Sequence, residues 1–201
     1  FNPLKSLYAE SNNMTIMESC LDRIEELFAV EELPDKGKKE INTYESEYVV
    51  EYKNVCFSYG KKEVLHDVSF GLKENSMTAL VGKSGSGKST IANLLVRFWD
   101  INSGTIYIGG IDIKELPLSV LMNQISMVFQ NVYLFEDTIY NNILMGRSDA
   151  TEQEVIEAAK KARCYDFVME LPNGFQTIIG EGGASLSGGG KHRISIARSI
   201  L

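Results

Sequence analysis

Gly82-Lys83-Ser84-Gly85-Ser86-Gly87-Lys88-Ser89 is the stretch on which the reading of this chain turns. A glycine, four residues and then Gly-Lys-Ser is the spacing of a loop that wraps an anion, because glycines let the backbone curl until successive N–H groups point inward. The flanks agree with this. Residues 77–81 form an apolar run without alternation, which predicts a parallel strand buried on both faces. Ile91, Leu94, Leu95 and Phe98 follow at helical spacing. A strand, a glycine loop and a helix in that order bring the positive end of the helix to the loop.

The anion implied is the phosphate chain of a nucleotide. The pattern assigns Gly82, Ser84, Gly85, Ser86 and Gly87 to the wrapping backbone and Lys88 to the β- and γ-phosphates as a point charge. Ser89 is placed to offer a hydroxyl oxygen to Mg2+, and Thr90 to add an α-phosphate contact. Kinases, GTPases, motor ATPases and transporters all use such a cradle, so the loop by itself chooses none of them.

Working outward, the 201 residues suffice for one sizeable domain, and 44% hydrophobic with 23% charged residues is an ordinary globular composition. A formal net charge of −7 argues against a general nucleic-acid binder, and none is expected as a partner. Cys20, Cys56 and Cys164 lie at separations that match no metal-ligand pair, which predicts reduced, mostly buried thiols. No apolar run is long enough to span a bilayer.

Upstream, Leu7, Met14, Leu21 and Phe28 recur every seven positions and are joined by Leu4, Met17 and Ile24, which predicts one long amphipathic helix to about residue 32. Pro34 ends it, and the charged stretch 35–47 reads as a surface linker. Val49, Val50, Tyr52, Val55 and Phe57 predict a strand that turns at Gly60-Lys61-Lys62 into a second over 64–72, an antiparallel layer ahead of the loop. Residues 105–108 and 124–129 are further strand candidates. The chain then becomes mostly helical, with Thr151 and Glu154 forming a capping box before Val155, Ala158, Ala159 and Ala162.

Leu186-Ser187-Gly188-Gly189 opens a last helical run, and Ser187 lies 99 residues beyond Lys88 (187 minus 88). A serine hydroxyl and two unhindered glycine amides at a positive helix end suit phosphate, although a plain N-cap serine looks the same. Loop and tetrapeptide together resemble the ATP-binding cassette (ABC) ATPases, in which this signature reaches across a head-to-tail dimer to cap the γ-phosphate on the partner's loop. The resemblance implies an α/β fold: a P-loop ATPase core with an antiparallel β-subdomain and an α-helical signature subdomain, here preceded by the long helix. It also implies ATP and Mg2+ as ligands, and Lys88, Gln130 and Ser187 as residues serving hydrolysis.

Further positions carry the same likeness. Tyr59, in Phe57-Ser58-Tyr59, resembles the aromatic on which adenine stacks. Gln130 resembles the glutamine that senses Mg2+ and the attacking water, while its loop touches the membrane domain. Glu181-Gly182-Gly183 and Thr138-Ile139-Tyr140-Asn141-Asn142-Ile143 look like exporter segments that contact coupling helices and open the helical subdomain. His66 and His192 are expected to be structural or surface residues.

The likeness covers nearly the whole chain and implies this division: 1–33, the cytoplasmic end of a transmembrane-domain helix; 34–47, a linker; 48–201, the nucleotide-binding domain, with a helical subdomain at about 136–190. A fused exporter at the cytoplasmic face of the membrane is the expectation, with a second ABC subunit, its own or a partner's transmembrane domain and an unknown transported substrate as partners. Two departures stand out. Gly190 replaces the usual glutamine of the signature. The acidic strand that completes the Mg2+ shell would follow Leu201, so the segment as written is expected to be a piece of a longer protein that binds ATP without efficient hydrolysis. A soluble ABC ATPase acting on ribosomes or chromosomes and a nucleotide-binding module without turnover are the competing readings; the spacing leaves no room for the coiled coil of chromosome-type members.

Overall fold

The computed structural model describes residues 2–30, 33–40, 46–183 and 186–201. Residues 31–32 and 41–45, parts of the expected helix and linker, and the side chains of Leu4, Leu7 and Glu181 lie outside what is described. The chain divides into two compact units, Phe1–Leu118 and Ser119–Leu201.

The first unit opens with α1 (Asn2–Phe28). The heptad pattern does produce one long helix, and its stripe is open: Met14, Met17, Leu21, Ile24 and Phe28 are all exposed. Cys20 on this helix is exposed as well, contrary to the expectation of mostly buried thiols; only Cys164 is fully buried. A cysteine beside polar neighbours on a single unpacked helix has nothing to cover it. No helix among the described residues is long and apolar enough to cross a membrane.

Beyond it lies a four-stranded sheet in the order β2-β1-β3-β4. β1 (Val50–Tyr59) and β2 (Lys62–Leu72) pair antiparallel from Val50 opposite Leu72 to Tyr59 opposite Lys62, so Gly60-Lys61 alone makes the turn, with Gly60 at φ 58°. Such a two-residue hairpin needs a left-handed residue to match the strand twist, which glycine adopts without penalty. A bulge interrupts β1 after Tyr52, where Asn54 sits at φ 50° and is held by the Ser69 hydroxyl and the Asp67 carboxylate, each at 2.8 Å. β3 (Ser103–Ile108) lies antiparallel on the other side of β1, and β4 (Ile111–Asp112) closes the edge.

The sheet carries the unit's core: Tyr52, Val55, Phe57, Leu65, Ile106 and Ile108 are buried. Each such side chain withdrawn from water contributes about 1.5–3 kcal/mol before conformational entropy is counted. Tyr52 stacks on Phe70 with ring centroids 4.6 Å apart, and its hydroxyl donates to the Ile91 carbonyl at 2.8 Å. That bond ties the sheet to α2 (Lys88–Leu95), the helix after the glycine loop. Burial pushes the Tyr52 phenol well above its ordinary value, so it remains a donor at any working pH. The charged stretch after Pro34 is pinned: the Lys38 and Lys39 amides both donate to the Glu115 carbonyl, and the Leu118 amide donates to the Asp35 carboxylate.

Two strand expectations fail. Residues 77–81 and 124–129 belong to neither sheet, and Met77 and Val81 are 99% and 93% exposed. A strand buried on both faces exists only through its neighbours, and among the described residues no strand lies beside 77–81.

Leading out of the first unit, α3 (Leu118–Met122) begins the helical half of the chain. The second unit pairs β5 (Asp137–Thr138) with β6 (Ile178–Ile179) and packs α4 (Ile139–Leu144), α5 (Glu152–Lys161), α6 (Tyr165–Met169) and α7 (Gly188–Ile200). Leu134, Ile139, Ile143, Val155, Ala159, Val168, Ile179, Ile194 and Ala197 form one buried cluster. The small residues at 158, 159, 162 and 197 let α5 and α7 approach closely. Thr151 caps α5 in a complete capping box with Glu154, as its sequence predicts. Within the core, Asn142 is fully buried and satisfied: its amide donates to the Phe135 and Thr138 carbonyls, and its oxygen accepts from the Phe135 amide and the Arg198 guanidinium.

Candidate functional site

Residues 82–87 form a turn that ends in α2, and the geometry shows why glycines occupy it. Gly85 and Gly87 stand at φ 80° and 86°, in the left-handed region that other residues enter at a cost. Gly87 is the N-cap of α2, and a side chain there would be doubly excluded: a Cβ would lie 2.6 Å from Leu65 Cδ2. At Gly82 a Cβ would come within 2.7 Å of the Ser86 hydroxyl. With no earlier carbonyls to bind, the first-turn amides of α2 face outward toward the loop.

Lys88 folds back across this turn. Its ammonium donates to the Gly82 carbonyl at 2.9 Å, the Lys83 carbonyl at 2.8 Å and the Ser86 hydroxyl at 3.4 Å. The result is a positive charge held over the loop beside the positive end of a helix, with Ser84, Ser86 and Ser89 exposed around it. Thr90 is buried one residue further on. An anion with several oxygens fits this arrangement.

Tyr59 ends β1 in the same unit, 38% exposed. The hairpin that carries it also touches the loop, since Val64 and Leu65 of β2 are the neighbours of Gly87. Its ring stands perpendicular to Phe57 (4.7 Å) and to Trp99 (5.2 Å). Sequence reasoning passed over Trp99. No motif marks it, and it lies 40 residues from Tyr59 (99 minus 59); the one signal it gives is that it is the sole tryptophan.

Gln130 and Ser187–Gly189 belong to the second unit, each described there by itself. Gln130 is exposed in the bend that follows residues 125–129. Ser187 is the N-cap of α7: its backbone is extended, and its hydroxyl oxygen accepts from the Gly190 amide at 3.2 Å. Capping uses the oxygen and leaves the O–H free to donate outward, so the capping and phosphate roles are compatible. Ser187, Gly188 and Gly189 are exposed, and a Cβ at either glycine would meet nothing within 4 Å among the described residues. Packing among the described residues therefore does not require glycine at 188 or 189. Gly190 is buried, with the Ser187 hydroxyl and the Phe167 ring as neighbours of a virtual Cβ at 3.3 and 3.7 Å.

Fold and loop together define a P-loop nucleotide-binding chain. The sequence profile of the ABC transporter family matches residues 65–201. This chain belongs to the ABC transporter family, and ATP binding comes with that membership. It is 43% identical over 203 residues to the putative multidrug export ATP-binding/permease protein YgaD of Bacillus subtilis (strain 168), covering 100% of this chain and 35% of that protein. It is 44% identical over 205 residues to the ATP-dependent lipid A-core flippase of Haemophilus influenzae (strain 86-028NP), covering 99% and 34%. Among solved structures, a bacterial Atm1-family ABC exporter with ATP bound superposes with a TM-score of 0.79 at 40% identity, over 94% of this chain and 34% of that one. The chain thus spans about a third of the length of these proteins.

Proposed function

We propose that this chain is the ATP-binding and hydrolysing part of an ABC exporter. The observation that carries the reading is the Lys88 ammonium held over a loop of left-handed glycines at the start of α2. In this reading Gly82, Ser84, Gly85, Ser86 and Gly87 wrap the phosphates, and Lys88 exchanges its carbonyl partners for β- and γ-phosphate oxygens. Thr90 supports the α-phosphate, and the exposed Tyr59 ring stacks on adenine. Ser187, with Gly188 and Gly189, caps the γ-phosphate on a second ABC subunit, which suits their open surroundings.

Ser89 and Gln130 offer neutral oxygen donors, the type that Mg2+ takes, and both are exposed. Bound there, Mg2+ would neutralise charge on the β- and γ-phosphates. Residues 1–33 are read as the cytoplasmic end of a transmembrane-domain helix, 34–47 as a linker and 48–201 as the nucleotide-binding domain, with the helical subdomain over about 136–190. The open stripe of α1 and the names of the relatives support a fused transporter at the cytoplasmic face of a membrane. Closure of two such domains around ATP would move membrane helices, and in-line attack of water on the γ-phosphate would reset them.

The test is Lys88→Ala in the full-length protein. Removing one charge-assisted contact weakens Mg·ATP binding about tenfold to a hundredfold in calorimetry, and ATPase activity is lost. Turnover at the wild-type rate would refute the assignment.

A further inference from the structure

Tyr59 is useful as a platform only if its ring plane is set before the base arrives, because a side chain ordered during binding subtracts from affinity. Beside Tyr59 the structure gathers a hydrogen-bonded loop and an aromatic neighbour. The chain leaves α2 through Arg97, a buried residue at φ 55° whose guanidinium donates to the Asp100 carboxylate at 2.8 Å and to the Pro34 carbonyl at 3.0 Å. The Arg97 guanidinium in turn holds the Asp100 carboxyl below its ordinary value, which keeps the pair charged. Two residues past Asp100, Asn102 fastens the same loop to β1. Its amide donates to the Cys56 carbonyl at 3.1 Å, and its side-chain oxygen accepts from the Ser58 amide at 2.7 Å. Ser58 is the residue immediately before Tyr59.

Trp99 lies within the span closed by the Arg97–Asp100 pair, ring perpendicular to Tyr59 at 5.2 Å and 89°. Perpendicular aromatic pairs at this spacing are attractive and directional, unlike aliphatic contacts. Trp99 is 43% exposed and is not among the buried core residues; its other aromatic neighbour is Phe98, at 6.3 Å and 80°.

We propose that Trp99 is a positioning residue for the nucleobase platform: held in a loop closed by Arg97–Asp100 around it and fastened by Asn102–Ser58 after it, it fixes the plane of the Tyr59 ring before a purine binds. The proposal rests on reading Tyr59 as that platform. It gives the loop after α2 a role in nucleobase affinity that neither the phosphate loop nor the signature supplies.

The experiment is calorimetric titration of the full-length protein with Mg·ATP and, separately, with Mg·tripolyphosphate, which engages the loop but has no base. Trp99→Leu weakens ATP binding about threefold to tenfold, the cost of ordering one aromatic side chain, and leaves tripolyphosphate affinity unchanged. Trp99→Phe restores most of the loss. In steady-state assays Trp99→Leu raises KM for ATP with kcat unchanged. In a Tyr59→Ala background the effect of Trp99→Leu on ATP affinity vanishes, because it acts through the missing ring.

If Tyr59→Ala leaves ATP affinity unaltered, the platform itself is rejected, and the inference goes with it. If Tyr59→Ala weakens ATP but Trp99→Leu does not, the platform stands and the positioning role is overturned. That role is overturned as well if Trp99→Leu weakens both ligands equally, or keeps its effect without Tyr59.

Discussion

Gly87 and Gly188 are both glycines at the start of a helix, and their surroundings make them physically different residues. At Gly87 the backbone is left-handed at φ 86°, and Leu65 occupies the space that a side chain would need. An L-residue there costs about 1–2 kcal/mol from the backbone alone, before Leu65 is displaced. At Gly188 the backbone is helical, and among the described residues nothing lies within 4 Å of a virtual Cβ. Gly87→Ala should therefore lower the unfolding free energy and abolish tight ATP binding. Gly188→Ala should leave stability unchanged or raise it slightly, since alanine is the better helix former. In the full-length protein Gly188→Ala should still depress ATPase turnover if that surface must approach a nucleotide. Thermal unfolding and ATPase assays on the two variants check the contrast; equal destabilisation would mean that the first turn of α7 is packed rather than open.

Among the elements, α5 shows how far local chemistry can be read from sequence. Thr151 and Glu154 are three residues apart, so the capping box is written in a window shorter than one helical turn, and the structure forms it with both reciprocal bonds. The Arg147 guanidinium, followed by the Thr151 amide and hydroxyl, holds the Glu154 carboxyl down from 4.5 to about 2. A depressed carboxylate stabilises the folded state fully above its unfolded value and loses that contribution as pH falls toward the folded one. The Glu154→Gln variant should be less stable than wild type near pH 6, with the gap closing between pH 4.5 and about 2. Unfolding midpoints at low and high salt across that range measure it, and the gap should shrink in salt because the pair is exposed. A gap independent of pH would assign the effect to helix propensity instead. What was not legible follows the same logic. Residues 77–81 and 124–129 carry apolar patterns suited to strands, but a strand is a relation to a neighbour and no short window contains the neighbour. Tyr59 and Trp99 meet only because the β1–β2 hairpin and the loop after α2 converge, which no local spacing announces.

For the whole molecule, the proposed function reads two half-sites on the chain, a phosphate loop in the first unit and a signature helix start in the second. The loop is self-contained: its lysine, glycines and helix end are all in the first unit. The helix start at 187–189 is exposed, with the Ser187 oxygen capping its own helix and its O–H not used by that cap. If each loop is capped by the signature of another copy, damage to the two half-sites should complement. A dimer mixed from Lys88→Ala and Ser187→Ala chains would contain one site with both residues intact and one with neither. Isolated through two different tags and incubated with Mg·ATP under conditions that trap hydrolysis, the full-length mixed dimer should retain about one nucleotide per dimer, given that a Lys-phosphate contact and a signature cap each contribute charge-assisted hydrogen bonds. Either mutant homodimer, broken at both sites, should retain far less. Were each loop instead capped within its own chain, every site in the mixture would lack one partner, and mixing would rescue nothing.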